Sequence, residues 1–299
     1  MDDTGVEKPN QGLLVRHTRS GLLYVSGEDH RNWLQGVITA DILNLSERGL
    51  WGLFLDRTGR VRGEVIGILE ERGLWLAVVG GEIADVHRYL DSLIVMEDVI
   101  LTIDPSRSLW AVHGHNESLA LPQQEPELGV CRGTLTWVGP NDIVFAVADS
   151  IESEWLAQMR TIGFQPGGDE AWELCRIAAG LPKWGTDYSS KDTPHHAGLF
   201  GRAVARNKGC YIGQEVVCKV EMLGHVSQRV TRIALDSLAG LSIGAQVVDK
   251  QTGESAGLIT SVAPSLIRGK AWAIARVKST LADKGGEVAV GSVQGRISE

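Results

Sequence analysis

The chain has 299 residues, 43% of them hydrophobic and 22% charged, and a formal net charge of −8. That length accommodates two domains or one large one with subdomains, and the composition is that of a folded chain rather than a disordered one. The acidic balance argues against a protein built mainly to coat nucleic acid or an anionic membrane, and no stretch has the apolar length of a membrane span.

Residues 1–11 are polar, carry no apolar signal region and are expected to be disordered, with the protein in the cytoplasm. Leu22 to Val25 reads as a strand. Gly27-Glu28-Asp29 then opens a helix with Trp33, Leu34 and Val37 on one face. Strands follow at Leu50 to Leu55, Val61 to Leu69 and Leu74 to Val79, joined by turns at Asp56-Arg57-Thr58-Gly59 and Glu71-Arg72-Gly73. Helical spacing over Glu82 to Val95 places Ile83, Val86, Leu90, Leu93 and Ile94 together, and Val99 to Ile103 is again a strand. Further strands are expected at Leu109 to Val112, Thr134 to Val138 and Ile143 to Val147. Helices are expected over Glu152 to Ile162, from Asp169 to Gly180, and after a Thr193-Pro194 cap. Together these elements make a mixed α+β layer. After Arg229 short β-like runs alternate with turns: Val230 to Leu235, Gln246 to Asp249, Gly257 to Val262, Ala271 to Val277 and Glu287 to Val290. This spacing predicts a small C-terminal β-barrel over 229–299.

Four cysteines, at 131, 175, 210 and 218, form no C-x-x-C pair. Reduced thiols are expected, and neither a structural zinc nor a cluster held by this chain alone fits their scatter. Cys131 and Cys175 read as buried small hydrophobes. Cys218 reads as structural, inside a β-like run from Val216 to Val220. Cys210 differs. It lies in Lys208-Gly209-Cys210-Tyr211-Ile212-Gly213-Gln214-Glu215, where an amine, a thiol, a phenol, an amide and a carboxylate sit among glycines. Lys208 and Arg206 are cations that favour a thiolate. Residues 202 to 219 carry Arg202, Arg206, Lys208 and Lys219 against Glu215 alone, which is either a solvated basic face or an anion-binding rim. Glu173 and Arg176 share a helical face. They read either as an exposed ion pair or as a carboxylate for a donor-rich ligand beside a guanidinium for an anionic one. The adjacent rings of His195 and His196 diverge and do not make a metal pair, so no metal site is expected.

The stretch Lys208 to Glu215 matches K-G-C-Y-x-G-Q-E in full. Glu173-Leu174-Cys175-Arg176-Ile177-Ala178-Ala179-Gly180-Leu181-Pro182 resembles an E-x-x-R-I-x-x-G-x-P segment. Val25-Ser26-Gly27-Glu28-Asp29, Trp33-Leu34-Gln35-Gly36 and Thr39-Ala40-Asp41 resemble a V-x-G-x-D…F-L-Q-G…T-x-D pattern, with Trp33 in place of phenylalanine. On these motifs the chain resembles the folate-binding family of the glycine-cleavage aminomethyltransferase, and more closely its YgfZ-type branch.

The resemblance implies a three-lobed α+β fold, including a ferredoxin-like subdomain, around a central channel that holds tetrahydrofolate or a one-carbon derivative. The folate-binding module of two interleaved subdomains would run over 12–228. Glu173 and Arg176 would meet the ligand, Arg202 and Arg206 its anionic tail, and Lys208, Tyr211 and Gln214 of the signature loop would bind the folate as well. Cys210 would be the functional thiol of a monomeric protein whose partners are folate and iron–sulfur assembly or client proteins, with no nucleic acid and no membrane. The transferases carry a paired aspartate after a glycine-rich turn. Here that stretch reads Gly59-Arg60-Val61-Arg62-Gly63-Glu64, which leaves Glu64 as the candidate acid or base. Three readings stay open: an accessory to iron–sulfur enzymes using Cys210, a one-carbon transferase using Glu64, and a folate-sensing module without chemistry.

Overall fold

The computed structural model describes residues 12–17, 21–45, 48–114, 121–224, 226–267 and 269–298. The N-terminal stretch 1–11 lies outside them. Two compact units divide the chain. One holds Lys8–Gly168 with Arg202–Gln214, and the other holds Asp169–Gly201 with Glu215–Glu299.

The first unit begins with β1 (Leu13–Arg16), β2 (Leu22–Ser26) and helix α1 (His30–Val37). A meander follows: β3 (Gly49–Leu55), β4 (Val61–Leu69) and β5 (Gly73–Gly80). Helix α2 (Ile83–Asp91) and β6 (Ile100–Asp104) complete an antiparallel sheet of order β3-β4-β5-β2-β6. Its core joins Trp33, Leu34 and Val37 of α1 to Val86 and Leu90 of α2 over Leu23, Val25, Leu74 and Leu76. These are the stripe residues that helical spacing and strand alternation single out. Helix α2 stops at Asp91, short of the expected Val95, and Leu93 and Ile94 reach the core from a turn instead.

A second antiparallel sheet, of order β1-β7-β9-β8, is built from β7 (Arg107–His113), β8 (Val130–Leu135) and β9 (Asp142–Ala148) with the N-terminal β1. The strand expected at Thr134 to Val138 lies earlier, because Trp137 to Gly139 form the turn that Asp142 caps through the Val138 and Gly139 amides. Helix α3 (Asp149–Ile162) covers this sheet with Trp155 and Met159.

In the second unit, helix α4 spans Asp169–Ala178, ending short of the expected Gly180. Thr193-Pro194 starts a single turn, with Leu199 N bonded to Pro194 O, and the short helix α5 (Phe200–Ala203) comes only after it. The run Val216 to Val220 is helical, not β: helix α6 spans Gln214–Leu223. Valine favours strands only weakly, and local context overrides it here. Gly213, at φ +82°, turns the chain, and the Gln214 side chain accepts the Tyr211 amide, so the helix starts at once. Cys218 therefore sits on a helix.

The barrel expected at the C-terminus is present and closed. Its strands are β10 (Gln228–Leu235), β11 (Gln246–Asp249), β12 (Ser255–Val262), β13 (Ala271–Lys278), β14 (Glu287–Val290) and β15 (Val293–Ser298), with the short helix α7 (Ser279–Asp283). They close in the order β10-β13-β12-β11-β14-β15. Strand β15 was not expected from the sequence. Closure removes the open edges that a six-stranded sheet would otherwise expose. Ile177 and Leu174 of α4 pack on Val230, Ala263, Ile274 and Trp272 of the barrel.

Candidate functional site

The signature loop belongs to the first unit, up to Gln214. Its residues divide into those that hold the loop and one that is presented. Lys208 Nζ donates to the Ile38 and Ala40 carbonyls at 2.5 and 2.7 Å and lies 5.2 Å from the Tyr211 ring centroid. Burial pulls this ammonium down to about 8, against the opposing charge of Asp41. Tyr211 is buried, and Ile212 N bonds to Gly36 O. The amine expected beside the thiol thus pins the loop to the end of α1. Cys210 itself is exposed, whereas Cys131 is buried and Cys175 and Cys218 are half-buried. Burial and the nearby Glu70 push the Cys131 thiol up to about 12, which makes it inert. Arg206 is exposed on the same segment.

A polar array lies elsewhere in this unit. Glu64, 3% exposed on β4, accepts the Trp51 indole N–H at 2.9 Å. The Arg202 guanidinium sits 5.3 Å from the Trp51 ring centroid and donates to the Trp137 carbonyl at 2.7 Å. A cavity of about 430 Å³ opens beside them, lined by Asp41, Trp51, Thr134, Asn141 and Arg202 among others. Trp137 in turn packs against His17 and His113, with ring centroids 4.6 and 5.4 Å away. The Nε2 atoms of these histidines are 2.8 Å apart, and His113 Nδ1 is 3.3 Å from Asp142. One Nε2 must carry the proton and the other must accept it. None of this array except Glu64 and Arg202 was singled out from the sequence.

Burial, and then the charge of His113, hold the His17 imidazole well below its ordinary 6.5. The folded chain keeps His17 neutral where the unfolded chain protonates it, so stability falls as pH drops through 6.5. Urea midpoints at pH 7.5 and 5.5 should show this loss, and His17→Asn should reduce it. A wild-type midpoint that does not move would exclude this assignment.

In the second unit Arg176 is only 2% exposed. Its Nε and Nη2 donate to Glu173 at 3.0 and 2.5 Å, Nη1 donates to Leu181 O and Asp187 at 3.2 and 3.0 Å, and Nη2 also reaches Ser261 Oγ at 2.9 Å. Its donors are therefore committed to the protein, and the exposed-ion-pair reading does not hold. Buried Asp187 also accepts from the Thr260 and Ser261 hydroxyls and the Lys183 amide, tying α4 and the following loop to β12. Glu173 is partly exposed. Burial alone would raise its carboxyl, but hydrogen bonds from Arg176 and Lys183 outweigh it and hold the group below the usual carboxylate range. Those bonds take three of about four lone-pair directions of the carboxylate. His195 stacks on Phe200, and His196 Nδ1 pairs with Thr193 Oγ1. Among the described residues no group of three or more His, Cys, Asp or Glu is arranged to hold a metal ion, and no helix is long and apolar enough to cross a membrane.

No family model matches the chain. Among solved structures, the glycine cleavage system aminomethyltransferase T from Bartonella henselae superposes with a TM-score of 0.77, covering 97% of this chain and 85% of that one at 19% identity. The chain has the aminomethyltransferase fold. Among curated proteins it is similar to the tRNA-modifying protein YgfZ of Yersinia enterocolitica, 25% identical over 286 residues, which covers 87% of this chain and 83% of the relative. The YgfZ of Yersinia pseudotuberculosis is 24% identical over 222 residues, covering 68% of this chain and 65% of that protein. The α+β aminomethyltransferase-like fold with its C-terminal barrel thus stands as the sequence motifs imply, and YgfZ proteins are among the relatives.

Proposed function

We propose that this chain is a cytoplasmic, YgfZ-type tetrahydrofolate-binding accessory protein that supports assembly, maintenance or repair of iron–sulfur enzymes, with the Cys210 thiol as its working group. The observation that carries this reading is the contrast within the signature loop. Lys208, Tyr211 and Gln214 are engaged in holding the backbone, while Cys210 is left on the surface. A thiol held on an anchored loop suits contact with a partner protein or a cluster better than packing. Glu173 supplies an ionised acceptor for the N–H edge of a reduced pterin, and Arg176 positions it from behind. The description of the relatives as tRNA-modifying fits an accessory whose client enzyme acts on RNA, because a net charge of −8 leaves little electrostatic attraction for RNA in the accessory itself.

The one-carbon transferase alternative rests on Glu64. That carboxylate is buried and committed to Trp51, which suits a structural acceptor better than a proton carrier. In a strain lacking this gene, Cys210→Ala should fail to restore iron–sulfur enzyme activity. Its unfolding free energy should stay within about 0.5 kcal/mol of wild type, as for an exposed side chain. Full restoration by Cys210→Ala would overturn the role given to the thiol.

A further inference from the structure

Three features of the first unit meet at one corner, away from the signature loop. The first is an open strand edge. β6 pairs with β2 on one side and with no other strand among the described residues. α2 touches it through His87 Nε2, 3.4 Å from the Leu101 carbonyl. An edge strand carries backbone donors and acceptors able to extend a sheet. Leu101 and Ile103 turn toward the core, so Ile100 and Thr102 face outward.

The second feature is exposed apolar surface. Val95 is 81% exposed, Met96 94% and Ile100 57%. The first two do not dangle. Glu97 Oε2 accepts both the Val95 and Met96 amides, at 2.9 and 3.0 Å, so the turn that displays them is closed by its own hydrogen bonds. Asp98 and Asp29 then exchange backbone and side-chain bonds that fasten the turn to the start of α1.

The third is charge. Between 82 and 98 the chain carries Glu82, Asp85, Asp91, Glu97 and Asp98 against Arg88 alone; Asp104, at the far end of β6, is paired with Arg107. Much of the net charge of −8 is therefore gathered on α2 and the turn that leads into β6. Glu28 and Asp29 adjoin this group through their bonds to Asp98. Two copies of the chain meeting edge to edge here would oppose two acidic clusters, so a second copy is disfavoured.

We propose that the β6 edge with the Val95–Met96 turn is a docking surface for an extended, basic and apolar segment of a partner protein, which adds as a strand beside β6. The backbone of β6 supplies the ladder, Val95, Met96 and Ile100 supply the apolar contact, and the carboxylates select lysine or arginine. The proposal is independent of folate binding and of Cys210.

The test uses the full chain and two fluorescein-labelled octapeptides of alternating residues, Lys-Val and Glu-Val, read by anisotropy at low and high salt. The Lys-Val peptide should bind, weaken with salt and lose about tenfold in affinity with the Val95→Ser/Met96→Ser double variant. It should weaken likewise with Asp91→Lys, while the Glu-Val peptide should not bind. Both substitutions lie on exposed positions, and circular dichroism confirms that each variant folds. Failure of the Lys-Val peptide to bind, equal binding of both peptides, or affinity indifferent to both variants would overturn the proposal. So would a concentration-dependent dimer that the double variant abolishes, because the occupant would then be a second copy.

Discussion

Replacing Arg176 with methionine should destabilise the protein by about 3–5 kcal/mol, the usual loss when one partner of a buried ion pair is removed. The cause is what remains behind. The side chain of Asp187 is fully buried and loses its cationic partner, left with two hydroxyls and an amide. Glu173 loses two hydrogen bonds at the same stroke. Arg176→Lys should recover only part of this, because a point charge cannot serve Glu173, Leu181, Asp187 and Ser261 from one planar fork. Urea unfolding read by circular dichroism measures the change. A loss below about 1 kcal/mol in Arg176→Met would mean that the network is not what ties α4 to the barrel.

The second large effect is expected at Gly213. Its φ of +82° lies in the left-handed region, and a Cβ there would stand 2.5 Å from the Asp56 carbonyl oxygen and 3.1 Å from the Leu55 side chain. A residue forced into this conformation costs on the order of 1–3 kcal/mol in backbone strain, before the collision is counted. Backbone atoms cannot swing aside as a flexible side chain can. Gly213→Val should therefore displace the signature loop as well as lower stability. The exposure of Cys210 reports on this. Its rate of alkylation should change in Gly213→Val while that of buried Cys131 stays low. An unaltered rate together with an unaltered urea midpoint would show that the turn is not needed where it is.

The elements that were legible in advance are those whose signal is local. Alternation and regular turn spacing disclosed five of the six barrel strands, and a 3.6-residue stripe disclosed α1, α2 and α3. Misreadings came where two local signals compete. Val216, Val217 and Val220 carry strand propensity, but Gly213 and the Gln214 side chain start a helix before that propensity can act. The signature loop was legible as a motif, yet the division of labour within it was not. Nothing in the order of residues says that Lys208 reaches back to Ile38 and Ala40.

The polar array was illegible for a simpler reason. His17 and His113 are 96 positions apart, and Arg202 and Trp137 are 65 apart. Only sheet register and chain return bring them together. Arg176 shows the same limit at short range. An i, i+3 pair with Glu173 looks alike on a surface helix and on one pressed against a barrel, so its burial had to be seen.

Ligand recognition is the claim on which the functional account rests, and calorimetric titration of the purified chain with tetrahydrofolate tests it most directly, run in parallel on Glu173→Gln. The account predicts saturable one-to-one binding by the wild-type chain. It predicts a loss of about 10- to 100-fold in the variant, the scale of a hydrogen bond to a charged group, with the Gln variant still folded by circular dichroism. Absence of heat with the wild-type chain, or equal affinity in the two proteins, would contradict it.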